Sequence, residues 1–215
     1  MIGKPKEHPV AVGAKRAQEL PATDARGDER RKHILAALHD CIIDKGYPKT
    51  TLADIAEAAG MTPSHLLYYF RGKDAILEQY FQNVADRILE RIDEFSTHSP
   101  DRQIDLLGGL FFAGKGINDS EIGFMLECFG VAVHDRKLHS EKAELDRQFK
   151  VYLKELFETA SPEFADRAED SAELAYALLM GLLTAAYFDE RLGLPQAQRL
   201  FRSSMLSLAD PSQRS

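Results

Sequence analysis

The stretch TTLADIAEAAGMTPSHLLYYFRGKDAIL, residues 50–77, constrains the fold of this chain most tightly. Thr51 is followed three positions on by Asp54, the spacing of an N-terminal capping box with Asp in place of Glu. Gly60 ends that short helix where a positive φ is easily adopted. Thr62 then reads as a second N-cap, with Pro63 at the first helical position of a further short helix. Two short helices joined by a glycine-containing turn are the sequence form of a helix-turn-helix, whose second helix enters the major groove of DNA. Small Ala56 suits the helix crossing, and Ile55, Leu66 and Phe70 suit the support beneath the second helix.

The remaining chain is helical by periodicity. Ile34, Leu38, Cys41 and Ile42 form an amphipathic helix ending near Gly46. A long helix opens at about Lys73 with Ile76, Tyr80, Val84, Ile88, Ile92 and Phe95 on one stripe. Further helices are expected over about 102–114, 120–136, from 141 onward, 171–191 and 195–208, separated by turn-forming THSPD, GKGINDS, ASPEF and GLP. No segment alternates with period two, so the fold class is all-α: a three-helix DNA-binding domain over 28–75 and a larger helical domain over 76–215. Residues 1–27 lack periodicity and read as a flexible basic arm.

Charge divides the chain in the same way. Residues 1–27 are net +2, residues 28–75 net 0, and residues 76–215 net −9, within an overall −7. The acidic part is a poor nucleic-acid surface and is expected to do something else. No uninterrupted apolar run of about 18 residues suggests a membrane span, and the first 30 residues hold no secretory apolar core. Cys41 and Cys128 are too few for a disulfide framework or a zinc site, so a reducing, cytoplasmic setting is expected.

Residues 28–75, above all TTLADIAEAAGMTPSHLLYYFRGK, resemble the DNA-binding signature of the TetR family of bacterial transcriptional regulators. The matching positions are Thr51, Ile55, Ala56, Ala59, Gly60, Thr62, Tyr68, Tyr69, Phe70 and Lys73, and KGYPKTT before them matches too. The resemblance implies that Thr51 bonds a phosphate as well as capping its helix. It places Thr62, Pro63, Ser64 and His65 in the major groove and gives the hydroxyls of Tyr68 and Tyr69 to phosphates. Lys73 would pair with a phosphate at the positive end of the long helix. Leu67 departs from the pattern, because the family usually has Tyr there. Leucine cannot bond a phosphate, although it can touch a thymine methyl.

The same resemblance implies a larger domain that binds a small-molecule effector and supplies a homodimer. Phe111, Phe112, Phe124, Met125, Phe129, Tyr152, Tyr176 and Tyr187 are candidates to line a largely apolar cavity for an apolar or amphipathic ligand. Glu127, Cys128, His134 and Thr184 are polar groups that could orient it, with a redox role for Cys128 as an alternative. Leu174, Leu178, Gly181, Leu182, Ala185 and Ala186, continued by Phe201, Met205 and Leu208, are the expected dimer interface. His134 and His139 do not share a helical face, so no metal is expected, and no cofactor. No nucleophile–base pair or phosphate-cradling loop speaks for an enzyme. The reading is a ligand-responsive repressor that binds a palindromic double-stranded operator as a dimer. A helical small-molecule carrier without DNA binding is the rival.

Overall fold

The computed structural model describes residues 22–113, 119–189 and 191–210. Within them the chain forms α1 (Ala22–Lys45), α2 (Leu52–Ala58), α3 (Pro63–Tyr69), α4 (Lys73–Ser96), α5 (Pro100–Phe112), α6 (Asp119–Ala132), α7 (Arg136–Ala160), α8 (Ala168–Phe188) and α9 (Leu194–Ala209). Short 3₁₀ turns occupy Tyr47–Lys49 and Pro162–Arg167, and no strand occurs among the described residues. The fold class is all-α, as the periodicity requires.

Local chemistry sets the short helices. The Thr51 hydroxyl accepts from Asp54 N (3.2 Å) while Thr51 N donates to Asp54 Oδ2 (2.7 Å), a complete capping box. Lys45 Nζ lies 2.7 Å from the same carboxylate. These partners, Lys45 first, hold the Asp54 carboxyl well below its usual range. Gly60 has φ +64° and Gly46 φ +78°, both in the region that other residues avoid.

Three helix boundaries in particular differ from the sequence reading. Residues 1–21 of the expected arm lie outside the described residues, but Ala22–Gly27 belong to α1 rather than to the arm. Gly27 inside a helix costs only about 1 kcal/mol relative to Ala, so it need not end one. The helix expected from residue 141 instead starts at Arg136, because Asp135 acts as its N-cap and accepts from Leu138 N at 2.9 Å. That same turn ends α6 at Ala132 rather than near residue 136.

Among the described residues there are two apolar cores. The first joins Ile34, Leu38, Ile55, Leu66, Phe70, Ile76 and Phe81 to Phe124, Cys128, Ala132 and Leu138. The second packs Ile92, Phe95, Ile104, Phe112, Leu153, Leu179, Leu183, Phe201 and Met205. Helix α4 runs through both, and α6 contributes Phe124 and Cys128 to the first and Ile122 to the second. The expected boundary at residues 75 and 76 therefore falls within α4, and helices beyond it pack into the first core. Residues 162–188 are long and apolar enough to cross a membrane by length and composition, although no apolar run is uninterrupted. In the fold, Ala172, Ala175, Leu179 and Leu183 of this stretch are core residues.

Candidate DNA interface and effector cavity

Helix α3 is anchored from one side and open on the other. Leu66 is fully buried and Phe70 nearly so, whereas Thr62, Pro63, Ser64, His65, Leu67 and Tyr68 are exposed. Thr62 caps the helix, its hydroxyl accepting from His65 N at 3.2 Å. Tyr68 stands 82% exposed. Its ring meets Tyr69 edge-on at 5.2 Å, and Arg31 lies 6.0 Å from the half-buried Tyr69 ring. Leu67 is 49% exposed, so its side chain is available to a partner. Thr51 is exposed at the start of α2, with its hydroxyl donating to Asp54 Oδ2 at 2.6 Å.

Lys73 does more than the sequence indicated. Its Nζ donates to the carbonyls of Tyr47 and Thr50, each at 2.9 Å, and sits 4.0 Å from the Tyr47 ring centroid. Two of its three donors are thereby committed inside the protein, leaving one for a phosphate. The Tyr47 hydroxyl donates to Asp74, and Tyr47 N donates to Glu127 Oε2 at 3.1 Å. Burial, and then the Asp74 hydrogen bond, push the Tyr47 phenol up from its ordinary value. The turn that leads into Thr51 is thus stapled to α4 by Lys73 and to α6 by Glu127.

Between α4, α5, α6, α7 and α8 lies a cavity of about 650 Å³, within the range of small-molecule sites. Of the expected lining residues, Phe124, Met125, Cys128, Phe129 and Tyr176 line it, as does Phe111. Four do not. Phe112 is buried against Phe201 (ring centroids 5.5 Å apart), in the core behind the wall. Tyr152 is buried in that core too. Thr184 donates to Met180 O at 2.8 Å along its own helix. Tyr187 faces a separate cleft of about 270 Å³ beside Gly123 and Glu127.

The cavity also holds charge that the sequence reading did not assign to it: Arg87, Arg91, Arg102, Asp105, Glu121, Lys142 and Asp146. Lys142 Nζ bonds Asp146 Oδ2 (2.5 Å) and Tyr176 Oη (3.0 Å) and lies 4.5 Å from the Phe129 ring centroid. Tyr176 donates to Asp146 in turn. Burial first, then that bond, raise its phenol above the ordinary value. His39 of α1 was not singled out either. Its ring lies 5.6 Å from Tyr80 and 4.9 Å from Phe124, both cavity-lining, with Nε2 3.6 Å from Glu121. It places α1 directly behind the cavity wall. No group of three or more His, Cys, Asp or Glu suited to a metal occurs among the described residues.

Cys128 is 2% exposed, and burial, with the Glu127 charge second, pushes its thiol up to about 12. A thiolate is the reactive form, so this environment opposes redox sensing. In Cys41→Ala, a disulfide reagent such as DTNB at pH 8 is expected to find no reactive thiol until guanidinium is added. Rapid labelling of the native variant would show that α6 opens readily.

The expected dimer residues divide in the same way. Leu182, Phe201 and Met205 are interior residues of this chain's own core, 9%, 1% and 0% exposed. Leu178 and Leu208 are half-buried against that core. Leu174, Gly181 and Ala185 lie with Leu178 on one face of α8, and Phe188, not foreseen, extends it. Leu174 is 58% and Phe188 71% exposed.

Comparison with known proteins agrees with this architecture. The profile of bacterial regulatory proteins of the tetR family matches residues 34–80, and that of the BetI-type transcriptional repressor C-terminal domain matches residues 100–210. The HTH-type transcriptional regulator BetI of Escherichia coli O127:H6 is 25% identical over 178 residues, covering 80% of this chain and 90% of that protein. A TetR transcription regulator from Haloarcula marismortui superposes with a TM-score of 0.73 at 20% identity, over 86% of this chain and 98% of that one. A transcriptional regulator from Saccharomonospora viridis, solved in complex with choline, gives a TM-score of 0.70 at 19% identity, over 82% and 95% of the two chains. A capped, outward-facing recognition helix joined through α4 and α6 to a BetI-type helical domain makes this chain a member of the TetR family of bacterial transcriptional regulators.

Proposed function

We propose that the protein is a dimeric repressor that binds a palindromic operator and is released by a small amphipathic effector. The observation that carries the reading is the shared wall between the cavity and the DNA-binding core. Phe124 and Cys128 line the cavity and belong to the core that holds Leu66 and Phe70. On the same helix, Glu127 holds the turn before Thr51. An effector that displaces α6 therefore acts on the foundation of α2 and α3. Only a ligand that favours the displaced state will lower DNA affinity.

Thr62, Pro63, Ser64 and His65 would read base edges from the start of α3. Thr51, Tyr68, Tyr69 and the remaining donor of Lys73 would take phosphates. The apolar stripe Leu174–Leu178–Gly181–Ala185–Phe188, spaced alternately by four and three residues, supports a packed helix pair across a two-fold axis. A Cβ added at Gly181 would meet nothing within 4 Å, which leaves room for the partner helix. The two recognition helices would then lie about 34 Å apart, or at a modified spacing. A cytoplasmic location follows from the same reading. Choline, bound by the Saccharomonospora viridis neighbour, is one effector to test.

The direct test is a mobility shift with the DNA upstream of the protein's own gene at several salt concentrations. Binding that weakens steeply with salt is expected. No shift, or a salt-independent one, overturns the repressor reading and favours a carrier. In the same assay Leu67→Tyr, which restores a hydroxyl to an exposed position, is expected to tighten binding several-fold or change operator preference. Identical affinity and preference would show that position 67 does not meet DNA.

A further inference from the structure

The cavity's charged groups are not balanced among themselves. Each lining carboxylate already has a protein partner. Asp105 meets Arg202 at 2.6 Å, Asp146 meets Lys142 and Tyr176, and Glu121 lies 3.6 Å from His39. The arginines are in the opposite situation. Among the described residues, Arg91 is held only by exposed Glu94 on its own helix, at 3.0 Å. Arg87 of α4 and Arg102 of α5 line the cavity, are exposed, and form no ion pair or hydrogen bond with any described residue. Two of the cavity's aromatic faces, Phe129 and Tyr176, are already in use. Lys142 lies over Phe129 at 4.5 Å and over Tyr176 at 5.7 Å, so the protein's own ammonium occupies the place where a quaternary ammonium gains its attraction.

From this asymmetry we propose that the effector is an amphipathic anion. Its carboxylate or phosphate head is held by Arg87 and Arg102, and its apolar body lies among Ile88, Leu106, Leu110 and Met125. Guanidinium groups suit both heads because their paired donors match planar oxyanions. The proposal rests on the cavity being the effector site of the repressor described above.

The test is calorimetric titration of the full-length protein with two amphiphiles of equal chain length and opposite charge, dodecanoate and dodecyltrimethylammonium, each below its micelle concentration. Dodecanoate is expected to bind at least about tenfold more tightly, the scale of a lost charge-assisted hydrogen bond. The double variant Arg87→Gln/Arg102→Gln should lose that preference, and Arg87→Lys/Arg102→Lys should recover part of it. Both arginines are exposed, so the fold should survive, and a thermal melt checks this. On the unmodified protein, dodecanoate affinity should fall as salt rises, because exposed charges are screened. Equal or tighter binding of the cation, failure of both amphiphiles to bind, a preference that survives in the Gln variant, or a salt-independent affinity overturns the proposal. Phosphate-headed dodecyl phosphate then separates the two head groups. A ligand-free operator shift on the same preparation keeps the readings apart. Its absence counts against the repressor, whereas the titrations alone decide the ligand's charge.

Discussion

Lys73→Met is expected to lower the melting temperature by on the order of 10 °C and to weaken operator binding by at least about tenfold. The substitution keeps the length and apolar stem of the side chain and removes its donors. The carbonyls of Tyr47 and Thr50 lose their 2.9 Å partner, and the Tyr47 ring loses the ammonium above it. An unsatisfied, partly buried carbonyl costs about 1–3 kcal/mol, so the pair amounts to about 2–6 kcal/mol. In a protein of this size each kcal/mol is worth about 2–4 °C. DNA binding falls as well, because Thr50 immediately precedes the Thr51 capping box and sets where α2 and α3 begin. Circular dichroism melts and operator titrations on one preparation separate two roles. A normal melt with weakened binding would mean that Lys73 serves phosphate alone.

Phe201→Ala is the second substitution with a large expected effect. The ring is 1% exposed and packs on Phe112 inside the core of the larger domain. Removing it should cost about 3–5 kcal/mol, lowering the melt by on the order of 10 °C. The same decrement is expected at protein concentrations tenfold apart, because the loss lies within one subunit. Phe188→Asp should do the reverse. Placed on the exposed α8 stripe, it is expected to leave the helical content intact and shift sedimentation toward monomer. If Phe201→Ala instead weakened association and spared the subunit's own stability, residue 201 would belong to the interface that the helical stripe suggested.

That contrast shows what could be read from the chain and what could not. The caps at Thr51 and Thr62 were legible because a cap is formed within three residues, by side chains that compete for the backbone donors of the next turn. The exposed face of α3 was legible for the same reason, since Leu66 and Phe70 mark its inner side. Helices α6 and α8 are apolar on nearly every face. Periodicity could not decide which of Phe124, Thr184 and Tyr187 would look into the cavity, nor separate Leu182 from Leu174. The arginines of α4 and α5 carry no local pattern that marks them; only the neighbouring helices close a cavity beside them.

The sequence by itself therefore determined the all-α class, the helix-turn-helix and the outward residues of its second helix, because each depends on contacts one turn away. Only the tertiary structure decided the rest: Lys73 and Glu127 as staples of the turn before α2, the charged lining of the cavity, and the core position of Phe201. Those features join residues on different elements, the staples and the Phe201 contact across more than twenty positions, and nothing in local periodicity specifies which helices will meet.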